Sequence, residues 1–176
     1  SRARNLQACA KVCVQQHGGQ LPGDYQSLLK LPGIGPYTAG AIASIAFGLP
    51  VPAVDGNVHR VFSRLLSAEG DIAAPAVKRA LFDLAAQAVP SERPGDFNQA
   101  VMDLGATVCL PNALPLCASC PLGDRCQALA RQTRHRLPNK AAKKARRVEK
   151  KTVVLVITPQ GVLLHKRPDS GLLAGL

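Results

Sequence analysis

Two sets of residues in this chain have the types and the spacing to do chemistry. One is Cys109, Cys117, Cys120 and Cys126, four thiols within the stretch CLPNALPLCASCPLGDRC. Thiols this close, in a chain with no paired-cysteine framework, read as metal ligands rather than as disulfides. Zinc and iron are the metals to weigh. A zinc site more often presents two separated Cys-x2-Cys pairs, whereas this stretch has one such pair with a more distant Cys on each side. The other set is Asp55-Gly56-Asn57, placed after the turn Leu31-Pro32-Gly33-Ile34-Gly35. A fixed carboxylate can stabilise a cation that develops during bond cleavage. A Gly-x-Gly turn at the start of a helix offers unpaired N–H groups and the positive end of the helix dipole to an anion such as a phosphate. Each has a plainer reading: Asp55 as a helix cap, and the glycines as an ordinary turn between two helices.

The elements that must carry these residues are helical. Asp24 is expected to cap a segment reaching Leu31, with Tyr25, Leu28 and Leu29 on its apolar face. Pro36 to Phe47 opens with proline in the first turn and continues through Ala and Ile. After the break at Pro50 and Pro52, Val58 to Leu66 forms a helix with Val58, Val61, Phe62, Leu65 and Leu66 inward. Upstream, Arg4 to His17 is a helix stopped by Gly18-Gly19, with Leu6, Cys9, Ala10, Cys13 and Val14 on one face. Cys9 and Cys13, spaced i,i+4 without further ligands nearby, are small buried apolar residues. Downstream, Ala76 to Val89 places Val77, Leu81, Leu84, Ala85 and Ala88 inward, and Asp96 is expected to cap Phe97 to Val108, with Ala100, Val101, Leu104 and Val108 as its stripe. No strand pattern occurs before residue 152, so the body is all-α. Residues 131–151 are dominated by Lys and Arg against the single acid Glu149, a linker composition that is either simply solvated or in contact with DNA. Thr152–Thr158 and Val162–Lys166, around the turn Pro159-Gln160-Gly161, predict a β-hairpin.

Charge narrows the partners. The 176 residues carry 22 Lys and Arg against 11 Asp and Glu, a formal net charge of +11 that suits a polyanion. Aromatic residues make up only 3% with no Trp, which argues against a broad base-stacking surface for single strands. No apolar run approaches the roughly 20 residues that span a membrane.

LPGIGPYTAGAI followed by VDGNVHRV resembles the helix-hairpin-helix and Asp motif of base-excision DNA glycosylases, and within that superfamily the adenine DNA glycosylases, the MutY family. The resemblance implies a fold and a division of the chain. Residues 1–49 would be the last part of a six-helix-barrel domain with the helix-hairpin-helix, 50–131 a helical iron–sulfur domain, 132–151 a basic linker, and 152–176 the start of a Nudix-like domain. The last is suggested by RPDSGLLAGL, which has Leu173 where the family's signature usually has Trp. The cysteines, as Cys-x7-Cys-x2-Cys-x5-Cys, resemble the family's [4Fe–4S] loop, usually Cys-x6-Cys-x2-Cys-x5-Cys, with one extra residue in the first gap.

What the resemblance implies for function follows residue by residue. Leu31, Pro32, Gly33, Ile34, Gly35 and Thr38 would contact the DNA backbone. Asp55 would be the carboxylate that stabilises or adds to the oxocarbenium ion, Asn57 its hydrogen-bonding neighbour, and Tyr37 a further residue of the same pocket. The related endonuclease III branch carries Lys at the position of Tyr37, and an amine there would form a Schiff base and allow strand cleavage. With Tyr37, base release without strand cleavage is expected. The partner implied is double-stranded DNA with adenine opposite 8-oxoguanine or guanine, bound by a monomer in a bacterial cytoplasm at the nucleoid. The family's general-acid Glu would lie before Ser1, so this chain alone is expected to be inactive. A bifunctional endonuclease III-like lyase and a non-catalytic iron–sulfur DNA-binding module are the competing readings.

Overall fold

The structure, a computed structural model, describes residues 2–111, 114–141, 148, 150, 152–168, 170, 171 and 174. Leu173 of the expected Nudix-like signature and residues 142–147, 149 and 151 of the basic segment lie outside them. The chain falls into two units, 1–142 and 143–176, and both expected helical parts, 1–49 and 50–131, lie within the first.

The described part of the first unit is helical: α1 (Arg2–Gln16), α2 (Tyr25–Leu29), α3 (Pro36–Phe47), α4 (Gly56–Leu65), α5 (Pro75–Ala88), α6 (Pro94–Thr107) and the single turn α7 (Gln127–Ala130). The starts are set by side chains. Asp24 accepts from the Ser27 amide at 2.8 Å to cap α2, and Asp55 caps α4. Pro36, Pro75 and Pro94 occupy first-turn positions of α3, α5 and α6, where a missing N–H costs nothing. Helix α6 begins at Pro94, three residues before the expected start at Phe97. Pro94 starts it, and Asp96 stands in the first turn, bound to Arg93 at 2.6 Å.

Two cores hold the unit together. Cys9 and Cys13 of α1 pack with Leu28, Leu31, Ala39 and Ala43. Val58 and Phe62 of α4 pack with Leu81 and Ala85 of α5. Helix α4 lies against α5, α6 and α7, while α3 lies against α2 and α6, so α6 bridges the two cores. The expected face of α1 is only half right, since Leu6 is 73% and Val14 69% exposed. Only the line through Cys9, Val12 and Cys13 meets α2 and α3.

In the second unit β1 (Ile157–Thr158) pairs antiparallel with β2 (Gly161–Val162), Thr158 opposite Gly161. The hairpin is where the sequence places it but far shorter. Both faces are exposed, and two strands without a further packing surface extend poorly in water.

Candidate functional site

The head of α4 is built around Asp55. One carboxylate oxygen, Oδ1, accepts from the amides of Asn57 and Val58, each at 2.8 Å. The other, Oδ2, accepts from the Asn57 side-chain amide at 2.9 Å. Capping and a chemical role are therefore not alternatives. The cap uses one oxygen and fixes the orientation of the other.

Asn57 is itself held. Its Oδ1 accepts from Arg60 Nη2 at 2.8 Å. The same nitrogen donates to the Gly105 carbonyl at 2.6 Å, and Arg60 Nε donates to the Cys109 carbonyl at 2.7 Å. Arg60 is 7% exposed, and burial pulls its guanidinium below the usual arginine range, with Cys109 and Asp55 opposing and Arg64 adding. Gly105 makes this approach possible: a Cβ there would come within 2.6 Å of Asn57 Cβ. A continuous set of hydrogen bonds thus runs from the Asp55 carboxylate through Asn57 and Arg60 to the backbone of the first cysteine.

The segment leading into Asp55 is fixed from α6. Asn98, fully packed, accepts from the Ala53 amide at 3.0 Å and donates to Ser44 Oγ and the Val51 carbonyl, both at 2.9 Å. The Tyr37 hydroxyl reaches Met102 Sδ of α6 at 3.6 Å. Among the described residues it has no hydrogen bond to Asp55 or Asn57. His59, one turn into α4, has a buried Nδ1 without a partner. Burial and then Lys78 lower its pKa, and Asp55 acts the other way.

The glycine turn behaves differently. Leu31 is buried, and the Ile34 amide closes the turn onto its carbonyl at 3.1 Å. Gly33 has φ +78° and packs against Asn5, where a Cβ would meet Asn5 Cβ at 2.7 Å. Gly35 is the N-cap of α3 in extended backbone, with open space where a Cβ would project. Its amide has no partner among the described residues, and the first-turn amides of Tyr37 and Thr38 stand beside it with no acceptor one turn back. Pro32 and Thr38 are half-buried at the rim.

The four cysteines of the expected metal loop do come together. Cys109, Cys117, Cys120 and Cys126 line one cavity with Arg64, Val108, Pro115, Leu129 and Arg134. Two 3-10 turns, Cys117–Ser119 and Gly123–Arg125, bring the last three cysteines round. Burial pushes the Cys117 thiol up, with Arg134 opposing and the other three cysteines adding. Among the described residues no three Cys, His, Asp or Glu side chains are gathered as tightly as one metal ion needs. Four thiols around one cavity, with the buried Arg64 guanidinium donating to Cys109 Sγ, suit a metal centre held by thiolates.

Comparison with known proteins agrees with this geometry. Residues 16–45 match the model of the helix-hairpin-helix motif. A solved thermostable thymine-DNA glycosylase superimposes with TM-score 0.66 at 34% identity, over 74% of this chain and 59% of that one. A trapped endonuclease III–DNA covalent intermediate superimposes with TM-score 0.61 at 29% identity, again over 74% of this chain and 59% of that one. The chain therefore has the helix-hairpin-helix, endonuclease III-like fold. Along its whole length it is homologous to part of the adenine DNA glycosylases: it is 38% identical to the human protein over 100% of this chain and 40% of that one. To the Arabidopsis thaliana protein it is 43% identical, over 99% of this chain and 30% of that one. The chain spans about two-fifths of the length of the first of these curated relatives.

Arg60, Arg64 and Asn98 were not picked out from the sequence. A signal for the arginines exists: Asn57, Arg60 and Arg64 share one stripe of α4 at i, i+3 and i+7, a polar seam in a helix buried nearly all round. Asn98 carries none, since one Asn in a helix resembles any other until its partners are known.

Proposed function

We propose that this chain is the DNA-binding and carboxylate-bearing part of a base-excision repair glycosylase that hydrolyses the N-glycosidic bond of adenine mispaired with 8-oxoguanine or guanine. The observation that carries the reading is the Asp55 carboxylate, fixed by three hydrogen bonds at the head of α4, in a chain homologous throughout to adenine DNA glycosylases. Breaking the bond builds positive charge on the sugar. A carboxylate held in advance stabilises that charge without reorganising when it appears, and it can add to the sugar before water does. Asn57 keeps Oδ2 oriented, and Arg60 keeps Asn57 from turning. The resemblance assigns protonation of the departing adenine to a Glu that no carboxylate of this chain matches. Tyr37 takes away the Schiff-base route that a Lys at that position would offer, which supports base release without strand cleavage. Double-stranded DNA is gripped through the Gly33–Gly35 turn, whose free amides and helix start suit one phosphate.

The cysteine cavity is read as the seat of a [4Fe–4S] cluster held by Cys109, Cys117, Cys120 and Cys126. When bound, such a cluster supplies a rigid cross-link among these thiolates and a one-electron couple. Its contribution to the fold is to fix the loop whose first residue receives Arg60.

The test is single-turnover release of adenine from a mispaired duplex by a protein containing this chain and the expected upstream acid, with the DNA products examined before alkali. Free adenine with an intact strand is expected. Strand cleavage without alkali would favour a lyase, and binding without release a non-catalytic module.

A further inference from the structure

Arg64 is an unusual residue to find in the middle of this fold. It is 4% exposed, on a helix face that meets the cysteine stretch, and among the described residues no carboxylate lies within ion-pair distance of it. A guanidinium taken out of water without a counter-charge is strongly disfavoured, so its partners must answer for its burial. Those partners are specific. Nη1 donates to Cys109 Sγ at 3.3 Å and to the Leu110 carbonyl at 2.9 Å. Nε donates to the carbonyl of buried Leu137 at 2.9 Å. The carbonyl of Arg64 itself lies 3.5 Å from Cys126 Sγ. One residue of α4 therefore touches the first and last cysteines of the set and the segment that follows them.

We propose that Arg64 is the residue that retains the iron–sulfur cluster and sets its potential, acting as a positioning residue through Cys109; this rests on reading the four cysteines as cluster ligands. Ligated thiolates supply the negative charge that a buried guanidinium lacks, and the guanidinium offsets the repulsion among thiolates crowded into one cavity. Its fork engages a sulfur and two carbonyls at once, which the single ammonium of Lys cannot reproduce. Arg60 does not share the role. It reaches the carbonyl of Cys109, not the sulfur, and spends its other end on Asn57.

Two effects follow. Removing the Arg64 guanidinium frees the Cys109–Leu110 end of the cysteine stretch and the Leu137 carbonyl beyond it, so the cluster is lost faster. A cation and an N–H bond on a ligand sulfur favour the more electron-rich cluster, so their removal lowers the reduction potential. The couple is a single-electron one in which an electrode gives or takes the electron and no bond forms or breaks.

The experiment compares the unaltered chain with Arg64→Met and Arg64→Lys. Iron and sulfide content, the rate of iron release to a chelator and the midpoint potential are read for each. The unaltered chain is expected to hold iron and sulfide. Arg64→Met should release iron roughly tenfold faster, and should shift the ratio of oxidised to reduced cluster at a fixed potential roughly tenfold, a lowering of about 59 mV for one electron. Arg64→Lys, which keeps the charge but not the fork, should recover most of the potential and little of the retention. A purely packing role would leave the potential of iron-loaded Arg64→Met unchanged, and that result overturns the inference. Should Arg64→Met not fold, iron release from Arg64→Lys as slow as from the unaltered chain overturns it instead. Zinc without iron in the unaltered chain is a different failure, since it removes the cluster reading itself and this inference with it.

Discussion

The two turns that carry the proposed chemistry solve opposite problems. At Asp55 the donors are engaged by the side chain: the carboxylate accepts from the amides of Asn57 and Val58 and from the Asn57 side chain, and Asn57 accepts from Arg60. At Gly35 the amide has no partner among the described residues, and open space lies where a Cβ would project. A group that must meet a fleeting cation gains from being fixed beforehand, because reorganisation in the transition state would cost rate. A group that must grip a phosphate has to keep its donors free until the phosphate arrives. The same element, the start of a helix, serves both ends, and side-chain supply decides which.

The sharpest way to break the Asp55 side without touching Asp55 is Arg60→Met. It leaves the Gly105 and Cys109 carbonyls and Asn57 Oδ1 without this donor, in a site that is part-buried to buried. A destabilisation of about 3 kcal/mol in urea unfolding is expected, since charged hydrogen bonds are worth more than neutral ones. Excision should fall on the order of a hundredfold in the protein that remains folded, as Asn57 gains freedom to turn. Stability and rate both unchanged would mean that Asp55 holds its place unaided.

The glycine turn offers a cleaner separation. Gly33→Ala meets both a positive φ and Asn5, so it should cost about 1 kcal/mol or more of stability. Gly35→Val meets neither, so its cost should be only that of a poorer N-cap, about 1 kcal/mol or less. Duplex binding should nonetheless weaken in Gly35→Val for every sequence alike, because the added side chain stands where a phosphate would approach. Binding measured by fluorescence anisotropy at two salt concentrations separates the cases. Full affinity in folded Gly35→Val removes the turn from the interface.

The smallest effect concerns His59. Its folded pKa lies below the unfolded value, so the unfolded chain binds the extra proton first as pH falls. The stability that His59 contributes by staying neutral is present above the ordinary histidine range and is lost as pH drops through the folded pKa. His59→Gln should therefore flatten the acid side of a stability profile below about pH 6.5 while leaving neutral pH nearly unaltered. An identical profile in the variant would assign the acid slope to other groups.

The helices were largely legible because periodicity and caps report on local energetics. Asp24, Asp55 and Pro36 all start helices where their chemistry says they should. The cysteine spacing marks four thiols as candidate ligands of one centre, and all four line one cavity. The failures have a common cause. Leu6 and Val14 continue an apolar stripe in the sequence, yet only tertiary packing decides how wide a stripe is covered. Asp96 resembled a cap, but Pro94 and Arg93 took the helix start from it. Arg60 and Arg64 belong to a residue type that is ordinarily exposed, and their burial depends on carbonyls and a sulfur that come from 45 residues or more further along.

The most direct test of the account is Asp55→Asn in an excision-competent protein containing this chain, followed by single-turnover adenine release and mismatch binding. Asn can still cap α4, and as a cap it ranks with Asp. It removes the charge, however, and its amide would face the Asn57 amide, donor against donor, unless one of them turns. The account predicts a loss of a thousandfold or more in release, on the order of 4 kcal/mol in the barrier, with binding and folding largely kept. Release within about tenfold of the unaltered protein, a change of roughly 1.4 kcal/mol, would show that Asp55 is a cap alone and that the carboxylate facing the sugar is elsewhere.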